Sequence, residues 1–114
     1  MTNNKKTIVL KVGTKVLSDE GVFNNDRFLD LINFIVEVKN NFNVVLISSG
    51  AVALGYERLN LDRSLTTNKQ ILSSIGQADL ICKYKQSFNS FDIDISQVLV
   101  DNSVFKDNKK ITYL

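Results

Sequence analysis

The sequence predicts an α/β fold built on a parallel sheet, and three observations carry that expectation. Two short runs, Ile8-Val9-Leu10 and Val44-Val45-Leu46-Ile47, are continuously apolar and rich in β-branched residues. Such runs read as strands buried on both faces, the usual state in a parallel sheet. Between them lies a stretch in which Phe28, Leu31, Ile32, Ile35 and Val36 recur at helical spacing. Strand, helix and strand at this separation form a βαβ unit, whose crossover is right-handed in nearly all proteins.

Taken in order, the first strand covers residues 6–12, and Gly13 to Leu17 turns away from its end. Ser18-Asp19-Glu20-Gly21 is a turn signal, with glycine where a positive φ is cheap. Asn24 or Asn25 caps the helix, Asp26 favours its first turn, and Asn40-Asn41 ends it. The second strand runs into Ser48-Ser49-Gly50, which should lie beside Gly13-Thr14 because both close neighbouring parallel strands at one edge. Ala51 to Leu59 reads as a short helix and Asn60 to Ser64 as a loop. Thr66 or Thr67 caps a longer helix to Phe88, with Ile71, Leu72, Ile75, Ala78 and Cys82 facing inward. Gly76 interrupts it, which points to close packing or to the approach of a ligand. Phe91 to Val100 alternates and then turns fully apolar, the pattern of a third strand. Asp107 to Leu114 resembles the start of a further capped helix, so a longer parent chain is expected.

Composition narrows the chemistry. The 114 residues suffice for one small domain with its own core, and an apolar fraction of 44% fits a folded chain. A net charge of +2, with scattered basic residues, gives no footprint for nucleic acid. With no histidine, every histidine-based triad and metal site is excluded, and the single Cys82 excludes an intrachain disulfide. Cys82 itself reads as a small buried hydrophobe. The first residues lack the apolar core of a signal peptide, and no run approaches the ~20 residues that span a bilayer. A cytoplasmic protein without a membrane partner is the expectation.

Two constellations could carry chemistry. Lys11, Gly13 and Thr14 close the first strand. In open α/β sheets the ligand crevice lies at the strands' carboxyl ends. A lysine buried there would require an anion, and glycine lets a backbone approach a phosphate. The competing reading is a lysine snorkelling from a strand end. The spacing is not that of a Walker A loop. Ser48-Ser49-Gly50 brings hydroxyls to a helix start, suited to a carboxylate or phosphate, or simply to N-capping by serine. Lys69, Gln70, Gln77 and Gln97 are further candidates for the same crevice, or ordinary surface amides and amines.

The ordered set Lys11-Val12-Gly13-Thr14, Ser48-Ser49-Gly50-Ala51-Val52-Ala53 with Gly55, and Lys69-Gln70 with Gly76-Gln77 resembles the amino acid kinase family, in its glutamate-phosphorylating branch. The resemblance spans nearly the whole chain. It implies a three-layer αβα sandwich with a mainly parallel sheet, incomplete over residues 1–114, which would form the N-terminal amino-acid- and phosphate-binding part of the domain. It also implies ATP with Mg2+, L-glutamate as acceptor, and a homo-oligomer, dimer or tetramer, at full length. By resemblance, Lys11 is the catalytic residue. Lys11, Gly13 and Thr14 would hold the ATP phosphates, and Ser49 and Gly50 the glutamate. The first step of proline synthesis is the reaction implied. A sibling kinase with aspartate, acetylglutamate or UMP as acceptor, and a non-catalytic anion-binding module, are the alternatives. The resemblance assigns no residue to magnesium and no pocket to the nucleotide base.

Overall fold

The computed structural model describes residues 4–98. The elements are β1 (Lys6–Val12), α1 (Thr14–Leu17), β2 (Ser18–Asp19), β3 (Val22–Phe23), α2 (Asn25–Val38), β4 (Phe42–Ser48), α3 (Ala51–Leu59) and α4 (Thr66–Asn89). β1 and β4 pair in parallel from Lys6 opposite Phe42 to Val12 opposite Ser48. The α/β fold with a parallel sheet is therefore as the sequence predicts. α2 starts where the asparagine signal lies: the Asn24 side chain accepts from the Arg27 N–H at 3.0 Å.

The core sits on one face of this sheet. Val12, Leu10, Val44 and Leu46 point into a cluster with Phe28, Ile32 and Ile35 of α2 and Leu80, Tyr84 and Phe88 of α4. Phe28 packs at 5.7 Å from Phe23 and 5.1 Å from Tyr84, ring centre to ring centre. The opposite face corrects the expectation of strands buried on both sides. Val9, Val45 and Ile47 are 58%, 43% and 52% exposed. Among the described residues helices cover one side only, so alternate residues of each strand face outward. The described residues thus contain the sheet and one helical layer of the implied sandwich.

The turn at Ser18–Gly21 is as the sequence predicts, and three other expectations are corrected. The Ser18–Gly21 turn is the tip of a small hairpin, β2 paired antiparallel with β3. Glu20 and Gly21 both take positive φ, 49° and 79°, as a primed two-residue turn requires. Arg63, stacked 3.8 Å over the Tyr56 ring, donates to the Gly21 carbonyl at 2.6 Å and ties this tip to the α3–α4 connection. The N-cap of α4 is Leu65, with no side-chain cap, so neither Thr66 nor Thr67 plays that part. The buried face of α4 is Leu72, Gly76, Leu80, Tyr84 and Phe88. Ile71, Ala78 and Cys82 are exposed, and Cys82 is a free, accessible thiol. Residues 93–98 form no strand. Ile93 and Ile95 still pack against the core, but no ladder partner stands beside them among the described residues. The end of that predicted strand and the helix expected from Asp107 lie outside the described residues.

α3 and α4 cross at close range. A Cβ on Gly55 would meet the Leu72 backbone, with the Leu72 carbonyl carbon at 2.7 Å. A Cβ on Gly76 would meet the backbone of Ala51, its carbonyl carbon at 2.6 Å, and the Gly55 nitrogen at 2.7 Å. Of the two readings for Gly76, close packing is the one the structure bears out. Arg58 and Asp79 form an exposed ion pair across the same crossing. Among the described residues, no helix is long and apolar enough to cross a membrane.

Candidate functional site

The tips of β1 and β4 meet. After Val12 and Ser48 pair, the Ser49 N–H donates to the Val12 carbonyl at 3.0 Å. This bond carries the ladder one residue past the sheet and sets the Ser49-Gly50 turn directly beside Gly13. The shared edge follows from the parallel pairing, since parallel strands end on the same side.

Each tip has a distinct backbone. Gly13 is extended, at φ −77° and ψ 167°, and precedes the four-residue α1. No atom lies within 4 Å of where its Cβ would stand, so the backbone there is open to approach. Gly50 has φ 117°, a conformation L side chains rarely adopt. It opens α3 without a side-chain cap, and its carbonyl receives the Leu54 N–H at 3.2 Å. Simple N-capping by a serine is therefore not what this turn does.

Lys11 stands opposite Ile47 and is exposed. Strand alternation puts it on the outward face with Val9, next to the strand tips. This corrects the premise of a buried ammonium that needs an anion: water reaches the amine without a ligand. Thr14 is exposed on α1, and its carbonyl accepts from the buried Ser18 hydroxyl at 2.7 Å. Lys69 and Gln70 are exposed on the first turn of α4, Gln77 is half-buried, and Gln97 is exposed beyond the helix.

Ser48 points the other way from Lys11. Its hydroxyl bonds the Ser49 carbonyl at 2.9 Å and the Tyr84 hydroxyl at 2.6 Å. Tyr84 is buried between Phe28 and Phe88, the latter nearly parallel to it with centroids 6.2 Å apart. Burial pushes the phenol above its ordinary pKa, and the bond to Ser48 draws it part of the way back. Sequence reading passed over Tyr84, because its partner lies 36 residues away. Its recurrence four residues after Leu80 was the available signal.

Among the described residues, no group of three His, Cys, Asp or Glu side chains is placed to hold a metal. Asp19, near the hairpin, is engaged by Arg27 at 2.7 Å and by the Asn24 amide at 3.0 Å.

In open α/β sheets ligands bind in the crevice outside the carboxyl ends of the strands, which is where the glycine tip and the serine-glycine tip of this crossover unit stand. The amino acid kinase family model matches residues 6–114, and the chain belongs to that family. It is 37% identical over 109 residues to a glutamate 5-kinase of Helicobacter hepaticus, covering 96% of this chain and 41% of the relative. It is 37% identical over 95 residues to a glutamate 5-kinase of Leishmania donovani, covering 83% of this chain and 36% of that one. A glutamate 5-kinase of Haemophilus influenzae is 33% identical over 111 residues, covering 94% of this chain and 30% of the relative. The chain thus spans about two fifths or less of the length of these curated relatives.

Proposed function

We propose that residues 1–114 form the N-terminal, amino-acid- and phosphate-binding part of an amino acid kinase domain. The protein carrying them transfers the terminal phosphoryl group of ATP to the side-chain carboxylate of L-glutamate. The product is glutamyl 5-phosphate, the first intermediate of proline synthesis. The protein works in the cytoplasm as a homo-oligomer. The single observation that supports this reading most is the junction of the two tips, Ser49 N–H on Val12 carbonyl at 3.0 Å. The names of the relatives favour glutamate over other acceptors.

In this mechanism a carboxylate oxygen of glutamate attacks the terminal phosphorus. The new P–O bond forms as the bond to the bridging oxygen breaks, and ADP leaves with that electron pair. Such a transfer needs positioning and charge neutralisation more than covalent help. Lys11 supplies positive charge beside the moving group. Gly13 and Thr14 let the β1 tip close on the phosphates, since nothing crowds the Gly13 backbone. Ser49 and Gly50 hold the glutamate through a hydroxyl and a backbone N–H. Magnesium would accompany ATP and would neutralise part of the phosphate charge. The described residues offer no carboxylate cluster for it, so no residue is assigned to the metal.

Turnover with glutamate, aspartate, acetylglutamate and UMP as acceptors, measured on the protein from its full reading frame, tests the reading. Glutamate is expected to be the best acceptor; a different best acceptor moves the protein to a sibling kinase. Absence of any ATP turnover leaves the anion-binding module. A further expected result concerns Gly13→Ala. The methyl has free space and an ordinary φ, so the melting temperature should stay within a degree or two, as for a benign surface change. KM for ATP should rise about tenfold, the size of one lost hydrogen bond to a charged group. An unchanged KM would remove Gly13 from the phosphate site.

A further inference from the structure

We infer that Tyr84 and Ser48 form a positioning relay that sets the angle of the Ser49–Gly50 peptide and so tunes affinity for the carboxylate-bearing acceptor. This deepens the proposed function and rests on the reading that Ser49 and Gly50 hold that acceptor.

The argument begins with proton counting. A serine hydroxyl has one hydrogen to donate. The Ser48 hydroxyl reaches the Ser49 carbonyl, which can only accept, at 2.9 Å. Its one proton is committed there. The 2.6 Å contact with Tyr84 must then run from the phenol to Ser48. The three groups make a directed chain: Tyr84 O–H to Ser48 O–H to Ser49 carbonyl. Buried Tyr84 has its ring fixed by Phe28 and Phe88, so the origin of the chain is rigid. Successive hydrogen bonds of this kind strengthen one another.

The end of the chain is the functional point. The Ser49–Gly50 peptide is planar and trans, as no cis bond occurs among the described residues. In a trans peptide the carbonyl and the next N–H point in opposite directions. Drawing the Ser49 carbonyl toward Ser48 and Tyr84 therefore aims the Gly50 N–H away from the core. Among the described residues that N–H makes no hydrogen bond. At φ 117° Gly50 permits other orientations of this peptide, so the turn needs something to choose among them. Gly50 is buried, with Leu17 and Phe23 in ordinary contact at 3.5 Å and beyond from its Cβ direction, so packing and the relay act together on this turn.

The test uses Tyr84→Phe and Ser48→Ala, singly and together, in the protein from its full reading frame. Tyr84→Phe keeps the ring and its neighbours and removes only the donor. Each single variant should raise KM for glutamate about tenfold, the weight of one hydrogen bond, with KM for ATP within about twofold. The double variant should resemble the singles, because both cut one chain. An unchanged KM for glutamate in both singles overturns the relay. So does a parallel loss in both KM values and in melting temperature, which would mark a purely structural bond. If the wild-type protein prefers another acceptor, the same variants are measured with that acceptor. The glutamate assignment then fails while the relay is judged separately. Should Tyr84→Phe fail to fold, Ser48→Ala alone decides, since it leaves the aromatic cluster untouched.

Discussion

Replacing Gly76 with alanine is expected to destabilise the protein by about 3 kcal/mol or more, at the upper end of the range for overpacking. The reason is the kind of atom in the way. The new methyl would press on the Ala51 carbonyl group and the Gly55 nitrogen. Backbone atoms of a packed helix cannot swing aside as a side-chain end can, so α3 and α4 must part. Ala51 is the first residue of α3 and follows Gly50 directly, so the parting also displaces the serine-glycine turn. Chemical denaturation should show a lower midpoint, and glutamate affinity should fall in the fraction that remains folded. Gly55→Ala is the control on the partner helix, where the Leu72 backbone stands in the same relation. A midpoint within experimental scatter of wild type for Gly76→Ala would mean that α3 and α4 have room for a methyl at this crossing.

Lys11→Ala is expected to do the opposite: leave folding intact and remove function. Lys11 is exposed and, among the described residues, takes part in no ion pair. Its loss should shift stability by no more than ~0.5 kcal/mol. Turnover should fall about 10²–10³-fold, the usual effect of deleting one charge-stabilising contact in the transition state. KM for glutamate should change far less than kcat. Steady-state kinetics beside a thermal melt separate these outcomes. Lys11→Arg is informative because guanidinium is planar and bulkier than an ammonium, so retained charge need not restore rate. Full turnover in Lys11→Ala would return the residue to a solvated position on an open sheet face.

Local pattern made much of the fold legible. β1, β4 and α2 follow from apolar runs and helical periodicity, and Asn24 caps where an asparagine before a helix should. The adjacency of the tips also followed, because parallel strands share an edge. The failures have one cause: they depend on what a segment meets. The inward face of α4 is set by Gly76 seating against α3, which turns Tyr84 inward and Cys82 outward, although a cysteine is the more apolar of the two by habit. Ile93 and Ile95 do turn to the core, yet alternation says nothing of whether a neighbouring strand supplies hydrogen bonds. Burial of both sheet faces failed in the same way. Lys11 and Ser49 were named from their positions at strand ends, whereas Tyr84 reaches Ser48 across 36 residues and no short-range spacing encodes that.

The uncovered side of β1 and β4 has a practical consequence at the bench. Among the described residues, Val9, Val45 and Ile47 form a hydrocarbon strip open to water, beside a ribbon of two strands whose outer rims have unfilled ladder positions. Such a ribbon recruits strands from its neighbours. A preparation of residues 1–114 should cloud with rising concentration, and light scattering from a dilution series would record it.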